Sequence, residues 1–84
     1  MTPQEFHHKL MMLSCRFPYR ITSYYRDPDS NAQVGGHPNS RHMLWLACDV
    51  VCADPADDSE LMIEAQRQGL KVIDESTHLH IQAP

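Results

Sequence analysis

The sequence has few basic residues and no long apolar run. Its 84 residues include 7 lysines and arginines against 11 acidic residues, which gives a formal charge of −4. The basic residues are scattered, so the chain lacks the positive patch that binds nucleic acid or an anionic membrane. No apolar stretch approaches the roughly 18 residues that a membrane span needs. We therefore expect neither nucleic acid nor a membrane as a partner.

A secretory signal and a disulfide framework are also missing. The N-terminal stretch MTPQEFHHKL lacks a basic region followed by an apolar segment, which predicts a protein that is cytoplasmic as synthesised. The chain has three cysteines, Cys15, Cys48 and Cys52. Because this number is odd and no signal is evident, we expect reduced thiols.

The patterns that are present predict one α+β domain over residues 1–84. A helix begins with the capping sequence TPQE and ends near Pro18, and a second helix ends near Gly69. Strands are expected in YRITSYY, MLWLACDVV, LKVID and HLHIQ, and the last two can pair as a hairpin. RDPDSNAQVGGHPNS has the composition of a loop. This order favours a small, mostly antiparallel sheet with two flanking helices.

The last predicted strand carries two histidines on one face. Side chains alternate along a strand, so His78, His80 and Gln82 are expected on one side, opposite Leu79 and Ile81. An edge strand with a solvated polar face would show the same pattern. The histidines alone therefore favour a solvated polar face over a metal site.

The segment SRHMLWLACD places a carboxylate inside an apolar strand sequence. Asp49 is costly there unless it is paired or bound to a metal, and the alternative is a strand-terminal carboxylate that faces water. His42 would point to the opposite face of an uninterrupted strand, so the two converge only if the alternation is broken between them. With one histidine from the last strand they would form two imidazoles and one carboxylate. That composition, with a fourth position open, is typical of catalytic zinc sites.

These motifs resemble the zinc D-Ala-D-Ala carboxypeptidase and dipeptidase family, which shares its fold with the hedgehog signalling domain. The resemblance lies in SYYRDPDSNAQVGGHPNSRHMLWLACD and ESTHLHIQ. The family pattern has Ser-x-His and then Ala-x-Asp, with the histidine and aspartate seven apart, and it is matched by Ser40, His42, Ala47 and Asp49. A glutamate three residues before the third ligand is matched by Glu75 and His78, and YYRDP places Arg26 at the family's substrate-binding arginine.

The resemblance implies a zinc-dependent peptidase that acts on short peptidoglycan peptides, at a D-Ala-D-Ala terminus or an L-Ala-D-Glu bond. A phage or prophage enzyme that reaches the cell wall with another protein's help would fit a chain without a signal. The implied roles are zinc ligands for His42, Asp49 and His78, general base for Glu75, substrate or oxyanion contact for Arg26, substrate contact for Ser40, and an auxiliary role for His80. Asp74 is a neighbouring candidate for the base.

Two departures from the family pattern support alternatives. Trp45 stands where the family usually has glycine, and the chain is short. A zinc-containing binding or structural module of the same fold, without catalysis, is therefore the second hypothesis.

A third hypothesis places a structural zinc ion on Cys48 and Cys52 with a nearby histidine. A homodimer would help so short a chain to bury apolar surface.

Overall fold

A four-stranded antiparallel sheet with strand order β1-β2-β4-β3 organises the fold. The computed structural model describes all of residues 1–84. The strands are β1 (Tyr19–Ser23), β2 (Ala47–Cys52), β3 (Lys71–Asp74) and β4 (Leu79–Gln82). The helices are α1 (Pro3–Arg16), α2 (Pro28–Gln33) and α3 (Asp58–Arg67). The predicted α+β class with an antiparallel sheet is confirmed, and a third, short helix adds to the two expected.

Helix α1 forms where its capping sequence predicts. The Thr2 hydroxyl accepts a hydrogen bond from the Glu5 backbone N–H at 3.1 Å, and the Glu5 carboxylate accepts one from the Thr2 N–H at 3.1 Å. This reciprocal cap satisfies two donors that a helix start leaves free. Phe6, Leu10 and Leu13 recur at helical spacing and are buried. None of the helices combines the length and the apolar character that a membrane crossing requires.

The two faces of the sheet have different roles. Cys48 and Val50 of β2 and Leu79 and Ile81 of β4 are buried in one apolar cluster with residues of α1 and α3. Because side chains alternate along a strand, the residues between them face the other side. The opposite face therefore carries the polar side chains of β2 and β4, as predicted for the HLHIQ segment, and the functional groups are gathered there.

The connection from β1 to β2 differs from the predicted loop and strand. It contains α2, and the segment expected to start the strand at Met43 instead forms a 3-10 helix, Arg41–Leu44. The Ser40 hydroxyl accepts a hydrogen bond from the His42 N–H at 3.2 Å and so caps this helix. Trp45 ends it with φ 60°, in the left-handed region. Because of this turn, side chains do not alternate regularly between His42 and Asp49, and the two residues can approach each other from the same side of the sheet.

Asn31 anchors the loop that follows α2. Its side chain is buried, and the Nδ2 group donates a hydrogen bond to the His37 carbonyl at 2.8 Å. A Cβ on Gly36 would lie 2.2 Å from Asn31 Oδ1, so a larger residue at this position would displace the Asn31 side chain. Gly36 and His37 line the cavity described below. Asn31 therefore holds one wall of that cavity in place.

Replacing Asn31 with alanine is expected to lower the free energy of unfolding by about 1–3 kcal/mol, because the buried side chain and its hydrogen bond to the part-buried His37 carbonyl are lost. Denaturant unfolding measures this change. Asn39→Ala, at an exposed position in the same loop, is the matched control and should stay within about 0.5 kcal/mol of the wild type. Equal unfolding midpoints for the two variants would contradict the anchoring role.

Candidate metal centre

A polar cavity of about 1000 Å³ lies over the face of the sheet that is opposite the core. Only one of its sixteen lining residues is hydrophobic, so binding there must rest on charged and hydrogen-bonding groups. The cavity brings together the seven residues to which the family resemblance assigns a role: Arg26, Ser40, His42, Asp49, Glu75, His78 and His80. These residues are far apart in the chain but line the same cavity. Asp74, the alternative candidate for the base, does not line it.

Asp49 lies at the centre of a histidine cluster in this cavity. Its Oδ1 atom is 2.9 Å from His80 Nδ1, 3.3 Å from His42 Nε2 and 3.7 Å from His78 Nε2. The potential ligand atoms of His42, Asp49 and His80 all lie within 4.8 Å of one another. These three residues form the candidate metal site.

The structure groups His80 with His42 and Asp49, whereas the sequence analysis placed His78 in that role and gave His80 an auxiliary one. The physical reason is strand register. His80 is the direct partner of Asp49 in the β2–β4 ladder, while His78 precedes the first residue of β4. His78 lies outside the group of three candidate ligands, with its Nδ1 2.9 Å from the Thr77 hydroxyl.

His42 is oriented for a cation that would lie next to Asp49. Its Nδ1 is 2.7 Å from the Tyr24 carbonyl, which can only accept, so Nδ1 carries the hydrogen. In the neutral ring, Nε2 then holds a lone pair. This atom is buried, has no hydrogen-bond partner, and lies 3.3 Å from a carboxylate oxygen. Two electron-rich atoms at that distance repel each other unless a cation, either a metal ion or a proton on the imidazole, lies between or beside them.

The charges around Asp49 are consistent with such a cation site. Burial alone would raise the pKa of Asp49, but the neighbouring His42 and His80 hold that pKa well below its usual value. The hydrogen bond to Asp49 raises the pKa of His80, against the opposing effect of burial. The second nitrogen of His80, Nε2, is 2.8 Å from Gln82 Oε1. Asp49 and His80 therefore stabilise each other's charged forms.

Comparison with known protein families shows which family the chain belongs to. A family model described as Peptidase M15 matches residues 6–82. The chain is a member of the peptidase M15 family. The resemblance drawn from the motifs is confirmed by this match. No curated protein and no solved structure gives a significant match.

M15 membership makes the protein a metallopeptidase, and the metal of this family is usually zinc. The residues present fit that ion. Two imidazoles and one carboxylate are the protein ligands of many catalytic zinc sites, which leave a further position open. Each imidazole of the cluster has its other nitrogen against an oxygen acceptor, the Tyr24 carbonyl or the Gln82 amide. Such outer partners are typical of zinc-bound histidines.

Trp45 occupies the position where M15 peptidases usually have glycine, yet the local backbone keeps a glycine-like shape. Its φ of 60° is in the region that glycine adopts without strain. Its ring stacks on Tyr25, with centroids 4.7 Å apart, and meets Tyr24 edge-on at 5.2 Å. Trp45 does not line the cavity, so the substitution leaves the metal site open.

Arg26 and Ser40 are joined to His42 through the backbone. The Arg26 N–H donates to the His42 carbonyl at 3.2 Å, while Arg26 Nε is buried and has no hydrogen-bond partner. The Ser40 hydroxyl is already engaged by the His42 N–H. Ser40 therefore positions His42, and its contact with substrate stays a prediction. Glu75 is exposed on the cavity wall, and its N–H donates to the His78 carbonyl at 3.0 Å.

The thiol alternative finds no support in the fold. Cys48 and Cys52 belong to the apolar cluster on the face opposite Asp49. Burial raises the pKa of the Cys48 thiol to about 12, and Asp49 adds to this effect. Burial likewise raises the pKa of Cys52 to about 12, with nearby aspartates contributing. Zinc binds thiolates, so two thiols that remain protonated are poor ligands.

Two contributors to the site were missed by sequence reasoning. The Tyr24 carbonyl is a backbone group and has no signature in the sequence. Gln82 did have one, because the alternation of HLHIQ places it on the same face as His80. The structure shows that this shared face becomes a hydrogen bond.

Proposed function

We propose that this M15 family member hydrolyses short peptidoglycan peptides with zinc, as a D-Ala-D-Ala carboxypeptidase or an L-Ala-D-Glu endopeptidase. The observation that carries the proposal is the unpartnered, buried His42 Nε2, which faces the Asp49 carboxylate inside a polar cavity. We further propose a phage or prophage origin, with release to the cell wall by another protein.

The catalytic chemistry divides between the metal and the protein. Zinc held by His42, Asp49 and His80 would polarise the scissile carbonyl and acidify a water molecule. Glu75 lines the same cavity and is free of side-chain hydrogen bonds, so its carboxylate can take a proton from the attacking water. It can then pass that proton to the leaving amine, which restores the carboxylate for the next turnover.

Arg26 supports recognition of a charged peptide. Its Nε is already removed from water without a compensating hydrogen bond. Arg26 lines the cavity, where its guanidinium group could donate a charge-assisted hydrogen bond, stronger than a neutral one, to a peptide carboxylate or a developing oxyanion. The small number of apolar groups in the cavity favours a short hydrophilic peptide over a large apolar side chain.

The proposal is tested with tag-free protein that is stripped of metal and reloaded with one equivalent of zinc. Peptides that end in D-Ala-D-Ala or contain L-Ala-D-Glu are incubated with it, and products are identified by mass spectrometry. We expect cleavage of one peptide class, loss of cleavage in chelator, and recovery when zinc returns.

Two histidine variants provide the matched comparison for this assay. His42→Ala should lose both zinc and activity, whereas His8→Ala, at an exposed position of α1, should keep both. Stoichiometric zinc without cleavage of either peptide would favour the non-catalytic module of the same fold. Absence of zinc after reconstitution would overturn the metal site itself.

A further inference from the structure

Gln82 contacts the candidate metal centre from outside the ligand set. Its Oε1 atom is 2.8 Å from His80 Nε2, while the other ring nitrogen, Nδ1, is 2.9 Å from Asp49 Oδ1. Pairing with Ala47 on one side and Lys71 on the other fixes the backbone of Gln82. The amide is therefore presented to His80 by the sheet itself.

We infer that Gln82 is a positioning residue whose amide oxygen keeps a hydrogen on His80 Nε2, so that Nδ1 presents its lone pair to the metal. The inference rests on the proposed zinc site. A neutral imidazole has one N–H and one acceptor nitrogen, and the partner of one nitrogen selects the form of the other. An acceptor beside Nε2 therefore leaves Nδ1 free for a cation.

The reverse arrangement would close the site. If the Gln82 amide group donated to Nε2, the ring hydrogen would lie on Nδ1 and point at Asp49. His80 would then donate to the carboxylate and offer no lone pair to a metal. The orientation of one amide thus decides whether the pair of His80 and Asp49 is a metal site or a closed hydrogen bond.

In His42, too, a hydrogen-bond acceptor beside one ring nitrogen leaves the other nitrogen free for a metal, but the roles of Nδ1 and Nε2 are exchanged. The Tyr24 carbonyl holds a hydrogen on Nδ1, and Nε2 faces Asp49. That acceptor is a backbone oxygen, which any residue at position 24 would supply. Gln82 acts through its side chain, so the orientation of His80 depends on the residue type and can be changed by a single substitution.

The test compares the zinc affinity of the wild type with that of two variants at position 82 and one control variant elsewhere. Affinity is measured by competition with a chromophoric chelator at neutral pH. Gln82→Met removes the acceptor at similar side-chain length and should weaken zinc binding by about 10–100-fold, the usual cost of losing an outer partner. Gln82→Glu keeps an acceptor that cannot donate when ionised, so it should match or exceed the wild type. Gln66→Met, at an exposed position of α3, should not differ from the wild type.

Nitrogen-15 NMR of the zinc-loaded wild type gives a second readout that does not depend on any variant folding. We expect the His80 ring hydrogen on Nε2. A ring hydrogen on Nδ1, or unchanged zinc affinity in Gln82→Met, would overturn the role of Gln82 while leaving the zinc site intact. A wild type that takes up no zinc would overturn the proposed function together with this inference.

Discussion

Asp49→Asn is expected to lose stoichiometric zinc and, with it, zinc-dependent hydrolysis. Asp49 is the only anionic group among the three candidate ligands, and asparagine keeps its shape without its charge. The loss of affinity should exceed the roughly 10–100-fold that removal of an outer partner costs, because a ligand itself is weakened. Elemental analysis of the purified variant beside the wild type measures this directly.

The same substitution should also destabilise the metal-free protein at neutral pH. A carboxyl group whose pKa is lowered in the folded state stabilises that state above its ordinary pKa, and this contribution is lost as pH falls through the lowered value. Asp49 has a lowered pKa, so its full contribution is present at neutral pH. Replacement leaves His80 without its anionic partner and should cost about 1–3 kcal/mol.

Asp29→Asn is the matched control for both measurements, because Asp29 is exposed and lies outside the cavity. It should keep zinc, activity and stability. If Asp49→Asn retained stoichiometric zinc while His42→Ala lost it, the metal would be held by a ligand set without Asp49. The stability difference between the two asparagine variants should shrink in strong acid, where the Asp49 carboxylate becomes protonated.

The regular elements were predictable because their signals are local. The Thr2–Glu5 cap and the apolar stripe of α1 act within a few residues, and the alternation in HLHIQ does the same for β4. Helix α2 was not predicted, because a six-residue helix capped by Asp27 has the composition of a loop. The start of β2 was placed too early, because Met43 and Leu44 have strand-like side chains but belong to a 3-10 helix that Trp45 ends.

The site was predictable up to the choice between two histidines. The energetic cost of Asp49 in an apolar strand indicated a partner, and the need for a backbone break located His42 on a preceding turn. Both His78 and His80 share the correct face, so sequence spacing alone could not say which lies nearer Asp49. That choice depends on the register between β2 and β4, strands that are separated by a helix and a third strand in the chain.

Glu75→Gln is expected to reduce turnover of the cleaved peptide by about 10²–10⁴-fold, the usual contribution of a general base. Zinc content should not change, because Glu75 is outside the group of three ligand atoms. Glutamine keeps the length of the side chain but cannot accept the proton from water. Loss of turnover with full zinc occupancy therefore separates a defect in proton transfer from a defect in metal binding.

Asp74, the residue before Glu75, provides the control for this substitution. Asp74 does not line the cavity, and its Oδ1 accepts a hydrogen bond from the Ser76 N–H at 2.9 Å within the β3–β4 turn. Asp74→Asn should therefore keep turnover within a few-fold of the wild type. Full activity in Glu75→Gln would assign the proton transfer to another group, and His78, whose Nε2 lies 3.7 Å from Asp49 Oδ1, is then the side chain to replace next.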